Sequence, residues 1–173
     1  MGNLTPPDYM PHAYTEDQLV EQPALGLFTE LGWSTVSALE ETFGATGTLL
    51  RETNGEVVLA SHLRTAMQCL NPSLPVEAIS TAIDELTGDR SAMSLEAANR
   101  DIYLLLKDGV KISMPDRERG GQKIERVRVI DWDNPAANEF LLVSQMSITG
   151  DLYGCRPDLI GFVNGLPLVL IEL

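Results

Sequence analysis

The stretch "CRPDLIGFVNGLPLVLIEL", residues 155 to 173, decides how this chain is read. Two apolar runs flank Asn164-Gly165, and each run carries one carboxylate at its outer end, Asp158 and Glu172. Asn-Gly between apolar runs is the strongest short hairpin signal, because both residues accept the positive φ of a type I′ turn. The register of the hairpin then decides its chemistry. With a two-residue turn Val163 pairs with Leu166, Asp158 falls opposite Ile171, and Glu172 points to the other face. With a three-residue loop and Gly165 as a G1 bulge, Asp158 and Glu172 become diagonal neighbours on one face, ~7–8 Å apart. Two carboxylates reaching inward from that distance can grip one cation, since oxygen–Mg²⁺ bonds are ~2.1 Å. A divalent cation also relieves the mutual repulsion of an acid pair, and oxygen-only ligands favour Mg²⁺ over Zn²⁺. On this reading a shared metal requires the bulged or three-residue loop.

Working outward, "EFLLVSQMSI" (139–148) is apolar on both faces and is predicted to be a central strand. "IERVRVID" (124–131) alternates, with Val127 and Val129 on one face and Arg126 and Arg128 on the other, as in a half-buried strand. Before Gly109 the period is helical. "SLEAANRDIYLLLKDG" has Ser94 as N-cap and Gly109 as C′. "PVEAISTAIDELTG" runs from Pro75 to Gly88, the proline-first, glycine-last asymmetry of a short helix. In "LASHLRTAMQCL" Leu59, Leu63, Ala66, Met67 and Leu70 share a face, and Asn71-Pro72 stops the helix. Thr15 with Gln18 reads as a capping box opening a helix over roughly 16 to 31. Pro23 kinks that helix or marks its true start, and Gly32 ends it. Residues 1–14 read as an irregular arm, and 33–58 as mixed, with Gly44, Gly47 and Gly55 marking loops. The expected class is α/β of an α+β-like kind. A helical part, about 15–109, leads into a mixed sheet, about 110–173, within one domain of four helices and four or five strands.

The chain has 173 residues, 44% hydrophobic and 21% charged, a normal globular balance with room for a real core. No apolar run approaches the ~20 residues that span a bilayer, and the start lacks the basic and apolar regions of a signal peptide. Cys69 and Cys155 are far apart with no CxxC, so two reduced structural thiols and a cytoplasmic location are expected. The net charge of −13 argues against a free-standing, non-specific DNA binder. It leaves room for a divalent-metal site, or for a module held on DNA by other parts of a complex. No Gly-rich phosphate loop is present, so no ATP site is expected in these residues.

"RPD", an apolar strand, a tight turn and an apolar strand ending in Glu together resemble the PD-(D/E)xK nuclease motif. More narrowly, the chain resembles the N-terminal region of the restriction (R) subunit of type I restriction-modification enzymes. The likeness runs from about residue 15 to the end. It is carried by "LNPSLPVEAISTAIDELT", "LEAANRDIYLLLKDGV", "VRVIDWDNPAANEFLLVSQ" and "RPDLIGFVNGLPLVLIEL". The resemblance implies a Mg²⁺-dependent endonuclease domain acting on double-stranded DNA. In the full subunit that domain is joined to an ATP-driven translocase and works with methyltransferase (M) and specificity (S) subunits. By the same likeness Asp158 is the first metal ligand, Glu172 the second and the backbone carbonyl of Leu173 a third. The motif lysine would follow Leu173, and the later glutamine motif and closing αβ elements of the nuclease core are not among these residues. This chain therefore matches a truncated nuclease core, and is expected not to cut DNA by itself.

Nuclease cores of this kind usually add an acid from the first helix, and Glu21 is the candidate. It shares a face with Ala24, Leu25 and Phe28, and an acid on a buried stripe needs a partner. Pro23 so close to it favours the plainer reading of a solvent-facing acid. Arg156 reads as the partner of a nearby acid, and Arg126 and Arg128 as a solvated strand face. "DWDNP", with Asp131 and Asp133, reads as a turn whose Asp and Asn bond their own backbone. His12 and His62 show no ligand partner. A second reading of the whole is a non-catalytic docking module, in which the acidic helical half contacts the methyltransferase or motor domains.

Overall fold

A computed structural model describes residues 17–116, 120–150 and 153–173. The N-terminal arm, Thr15 and its capping box, and His12 lie outside the described residues. The chain opens on a single π-helical turn, Asp17–Glu21, followed by α1, Gln22–Glu30. Pro23 stands in the first turn of α1 and has no N–H to donate to the turn before it. The regular i→i−4 pattern therefore begins only at Gln22, so of the two sequence readings, a kink at Pro23 or a true start beside it, the second holds. Gly32, at φ 89, follows the end of the helix.

Four strands form the central sheet: β1 (Ser34–Ser37), β4 (Phe140–Ser144), β7 (Leu159–Val163) and β8 (Leu166–Ile171), in the order β1-β4-β7-β8. β1 runs parallel to β4, and the other pairs are antiparallel. The mixed sheet and the central place of β4 agree with the expected class. β1 lies in a stretch read only as mixed, and a four-residue strand with Val36 as its one apolar residue has no period to detect. Between β1 and β4 come α2 (Ala60–Leu70), α3 (Val76–Leu86), α4 (Leu95–Asp108) and a separate hairpin of β2 (Val110–Pro115) with β3 (Gln122–Val127). A two-residue pair, β5 (Ile148–Thr149) with β6 (Gly154–Cys155), brings the strands to eight among the described residues. β3 stops short of the alternating run, although Val127 and Val129 are buried and Arg126 and Arg128 exposed, as their spacing predicts.

The apolar side chains collect in two clusters. Leu63 and Met67 of α2 and Ile79 and Ile83 of α3 meet Val110, Ile112 and Val127 of the β2–β3 hairpin. Leu141 and Val143 of β4 and Ile160 and Phe162 of β7 pack with Leu49, Leu59 and Met146. The opposite face of the central sheet receives α1 through aromatic contacts. Trp33 lies 5.2 Å from Phe28 edge-on and 5.1 Å from Phe140. A Cβ on Gly161 would stand 3.1 Å from the Trp33 ring, so the glycine in β7 lets that ring lie against the strand.

The hairpin turn is the two-residue one. Val163 pairs with Leu166, with Asn164 at φ 53 and Gly165 at φ 80. The three-residue loop expected for a shared ligand site does not form. Asn164 is fully buried and satisfied. Its Nδ2 donates to Val129 O (2.8 Å) and Asn138 Oδ1 (2.9 Å), and its Oδ1 accepts from Glu139 N (2.8 Å). A Cβ on Gly165 would fall 2.6 Å from Leu59 O and Leu63 N, so glycine alone lets the turn seat on the start of α2. The "DWDNP" segment is the predicted turn: Asp131 Oδ1 accepts from Asn134 N and Asp133 N. The bond from Asn134, with Arg128 nearby, holds the Asp131 carboxyl below its usual range. Cys69 and Cys155 are free, and both are exposed rather than packed in a core. Among the described residues no helix is long and apolar enough to cross a membrane.

Candidate active site at the end of the central sheet

A second irregularity in the hairpin restores what the tight turn removes. Gly161 pairs with Val169 but Phe162 pairs with Pro167, so Leu168 is an extra residue bulged out of β8. Each added residue flips the parity of everything beyond it. Below the bulge Leu159 faces Ile171, and continuing that register by one residue sets Asp158 opposite Glu172. Directly opposed residues share a face of the sheet, with Cα atoms ~4.5–5.5 Å apart. The strand bulge thus does the work expected of the loop, at a different place. Leu173 bears this out locally: its N–H donates to Asp158 Oδ2 at 2.8 Å. It is the amide of Leu173 that engages Asp158 in this structure.

Across the other edge of β7 the same row continues. Ser144 pairs with Leu159, and Gln145 N donates to Asp158 O at 2.9 Å, which places Gln145 beside Asp158. Gln145 Nε2 donates to Glu21 Oε2 at 2.9 Å and lies 3.5 Å from Asp158 Oδ1. Glu21 is therefore half-buried and turned toward the sheet. Ala24, Leu25 and Phe28 are also half-buried, while the residues between them are exposed, so the stripe survives Pro23. The plainer reading of Glu21 as a solvent-facing acid is corrected. A cleft of about 530 Å³ opens here, lined by Glu21, Leu25, Thr35, Ser37, Leu39 and Gln145.

The structure thus brings Glu21, Gln145 and Asp158 together, and the register adds Glu172. Glu172 is exposed, and Asp158 is half-buried behind the buried Pro157. Arg156 is exposed and forms no ion pair with the described residues, contrary to the expected acid partner. Arg128 pairs with Asp131 at 3.0 Å, and His62 contacts the Glu139 carboxylate at 2.8 Å. Among the described residues no three His, Cys, Asp or Glu side chains converge as a ready-made metal cage. That is compatible with Mg²⁺, which keeps several waters and is commonly held by one or two carboxylates plus a substrate phosphate. The donors present are all oxygen, which suits a hard cation.

The type I restriction enzyme R protein N terminus (HSDR_N) family matches residues 13–173. The chain belongs to that family. Among the relatives of this R protein N-terminal region is the type I restriction enzyme HindI endonuclease subunit of Haemophilus influenzae. It is 37% identical over 160 residues, covering 89% of this chain and 14% of that protein. The putative type I restriction enzyme MjaIXP endonuclease subunit of Methanocaldococcus jannaschii is 28% identical over 160 residues, covering 91% and 15%. The chain thus spans about a seventh of the length of these relatives.

One residue of the site escaped the sequence reading. Gln145 sits in an apolar strand run and looks like an edge polar residue. The available signal was its place, a polar residue inside the run 139–148 predicted as the central strand; in the structure it follows the end of β4 directly and lies beside Asp158.

Proposed function

We propose that this R protein N-terminal region is a Mg²⁺-dependent endonuclease domain of the PD-(D/E)xK kind. Within an intact R subunit, working with M and S subunits and an ATP-driven motor, it hydrolyses phosphodiesters of double-stranded DNA. The observation that carries the reading is the bulge at Leu168, which pairs Leu159 with Ile171 although the turn has only two residues, so that the register carried one residue further sets Asp158 opposite Glu172. Asp158 and Glu172 would hold the cation, with the Leu173 carbonyl next along the chain beyond β8, and Glu21 would add a carboxylate from the helix side. When bound, Mg²⁺ would polarise the scissile phosphate and make the attacking water more acidic. The chain's own part is to present these oxygens from the adjoining ends of β7 and β8 and from the start of α1.

The 173-residue chain by itself is proposed to be inactive, because the lysine that the motif puts beyond Leu173 is not among its residues. That lysine would neutralise charge at the scissile phosphate. Detectable Mg²⁺-dependent nicking of plasmid DNA by the pure chain would refute this point.

The direct test of the site is calorimetric titration with Mn²⁺, comparing the wild type with Asp158→Ala. Saturable binding that the substitution weakens at least about tenfold is expected, since a ligand is lost. Equal heats from both proteins would remove the hydrolytic assignment. A docking role for the helical half is a compatible second reading. It is favoured by α4, which buries no residue and exposes Leu95, Tyr103 and Leu104.

A further inference from the structure

We propose that Gln145 is the positioning residue of this site: its side-chain amide sets the separation of Glu21 and Asp158 and keeps both turned toward one point. The inference rests on the cation reading above. Gln145 has φ 56, a left-handed conformation that non-glycine residues adopt rarely and that recurs where a functional site imposes it. Here it is held by its neighbours: Ser144 and Met146 on either side are buried, and the Gln145 N–H is bonded to Asp158 O. Strand pleating ends at Ser144, and the left-handed residue aims the Gln145 side chain at Glu21 rather than along the face that alternation would select.

The side chain then does what no single carboxylate–carboxylate contact could do. One nitrogen with two hydrogens faces two anionic oxygens, Glu21 Oε2 at 2.9 Å and Asp158 Oδ1 at 3.5 Å. These come from segments 124 and 13 residues away in sequence. Among the described residues Gln145 supplies the side-chain hydrogen bond to each of them. The amide carries no charge, so it bridges the two acids without neutralising them. A dication placed near the same two oxygens would draw on a geometry the amide has already set. Partners that orient metal-binding carboxylates in this way commonly change metal affinity ~10–100-fold when removed.

The test is Mn²⁺ calorimetry on the chain with Gln145→Met, which keeps length and loses the donor. Gln145→Asn, run in parallel, suits left-handed backbone but falls one methylene short of bridging both acids. Both are expected to weaken Mn²⁺ binding about tenfold or more while the thermal unfolding midpoint stays near the wild-type value. Because Gln145 acts partly through Glu21, Gln145→Met should cost clearly less affinity in a Glu21→Gln background than in the wild type. A merely structural role would give independent, additive losses, which would overturn the proposal. Wild-type affinity in both Gln145 variants, with binding lost in Asp158→Ala, would overturn this inference alone and leave the site standing. A wild-type chain that takes up no Mn²⁺ would overturn both.

Discussion

Arg51→Met is expected to destabilise the chain by about 3–5 kcal/mol, because it strands a buried carboxylate. Arg51 is 1% exposed, and the side chain of Glu41 facing it is 5% exposed. The Arg51 guanidinium donates through Nε to Glu41 Oε1 at 2.6 Å and through Nη2 to Glu41 Oε2, a two-point fork. Its remaining hydrogens go to three carbonyls: Asn54 O at 3.3 Å, Glu56 O at 3.1 Å and Ser147 O at 2.7 Å. Phe43 lies under the guanidinium, 5.4 Å from its ring centre. The bond to Ser147 ties the long loop between β1 and α2 to the segment just beyond β4. Methionine fills the volume but leaves Glu41 charged and three carbonyls without their donor. Against a total stability of ~5–15 kcal/mol this is a large fraction, with a fall in melting temperature on the order of 10 °C. Urea unfolding measures it. Arg51→Met combined with Glu41→Leu should recover much of the loss, since replacing both members of a buried pair is far milder than removing one. If the double variant is no more stable than the single one, the ion pair is not what holds this loop.

Asp158→Asn in an intact R subunit is expected to lower DNA cleavage about 10³-fold or more. Asn keeps the volume and one carbonyl oxygen, and with it an acceptor for the Leu173 N–H, but it removes the negative charge that would hold the cation. Losing a metal that stabilises transition-state charge by several kcal/mol corresponds to that factor, at ~1.4 kcal/mol per tenfold. ATP hydrolysis, expected from other parts of the subunit, should persist in the same preparation, which separates a lost site from a misfolded protein. Cleavage retained at the wild-type rate and Mg²⁺ concentration would show that Asp158 takes no part in the chemistry.

The two predictions mark the two kinds of position in this chain. Asp158, Glu172 and Glu21 stand out locally: an acid at each outer end of an apolar hairpin, and an acid on an apolar helical stripe. Arg51 does not. "RETNGE" reads as a polar, solvated loop, and nothing in five polar residues and a glycine tells that the first is buried. Gln145 was hidden for a similar reason, since its role depends on a left-handed backbone and on acids far away in sequence.

By itself the sequence determined the helix-then-sheet order, the helices that became α2 to α4, the central place of β4, and the turn at Asn164-Gly165. These follow from periodicity, capping residues and turn chemistry, which act over a few residues and are written in neighbouring letters. The face on which Glu172 lies was settled elsewhere. Extending the turn's register outward put the two acids on opposite faces. The chain instead inserts Leu168 midway along β8, where Gly161 of the facing strand is overlaid by Trp33. A bulge of that kind comes from the packing of one strand against its neighbours, and no local residue pattern announces it. Tertiary structure therefore decided the parity of the hairpin, the meeting of Glu21 with Gln145 and the burial of Arg51, because each depends on contacts between distant segments.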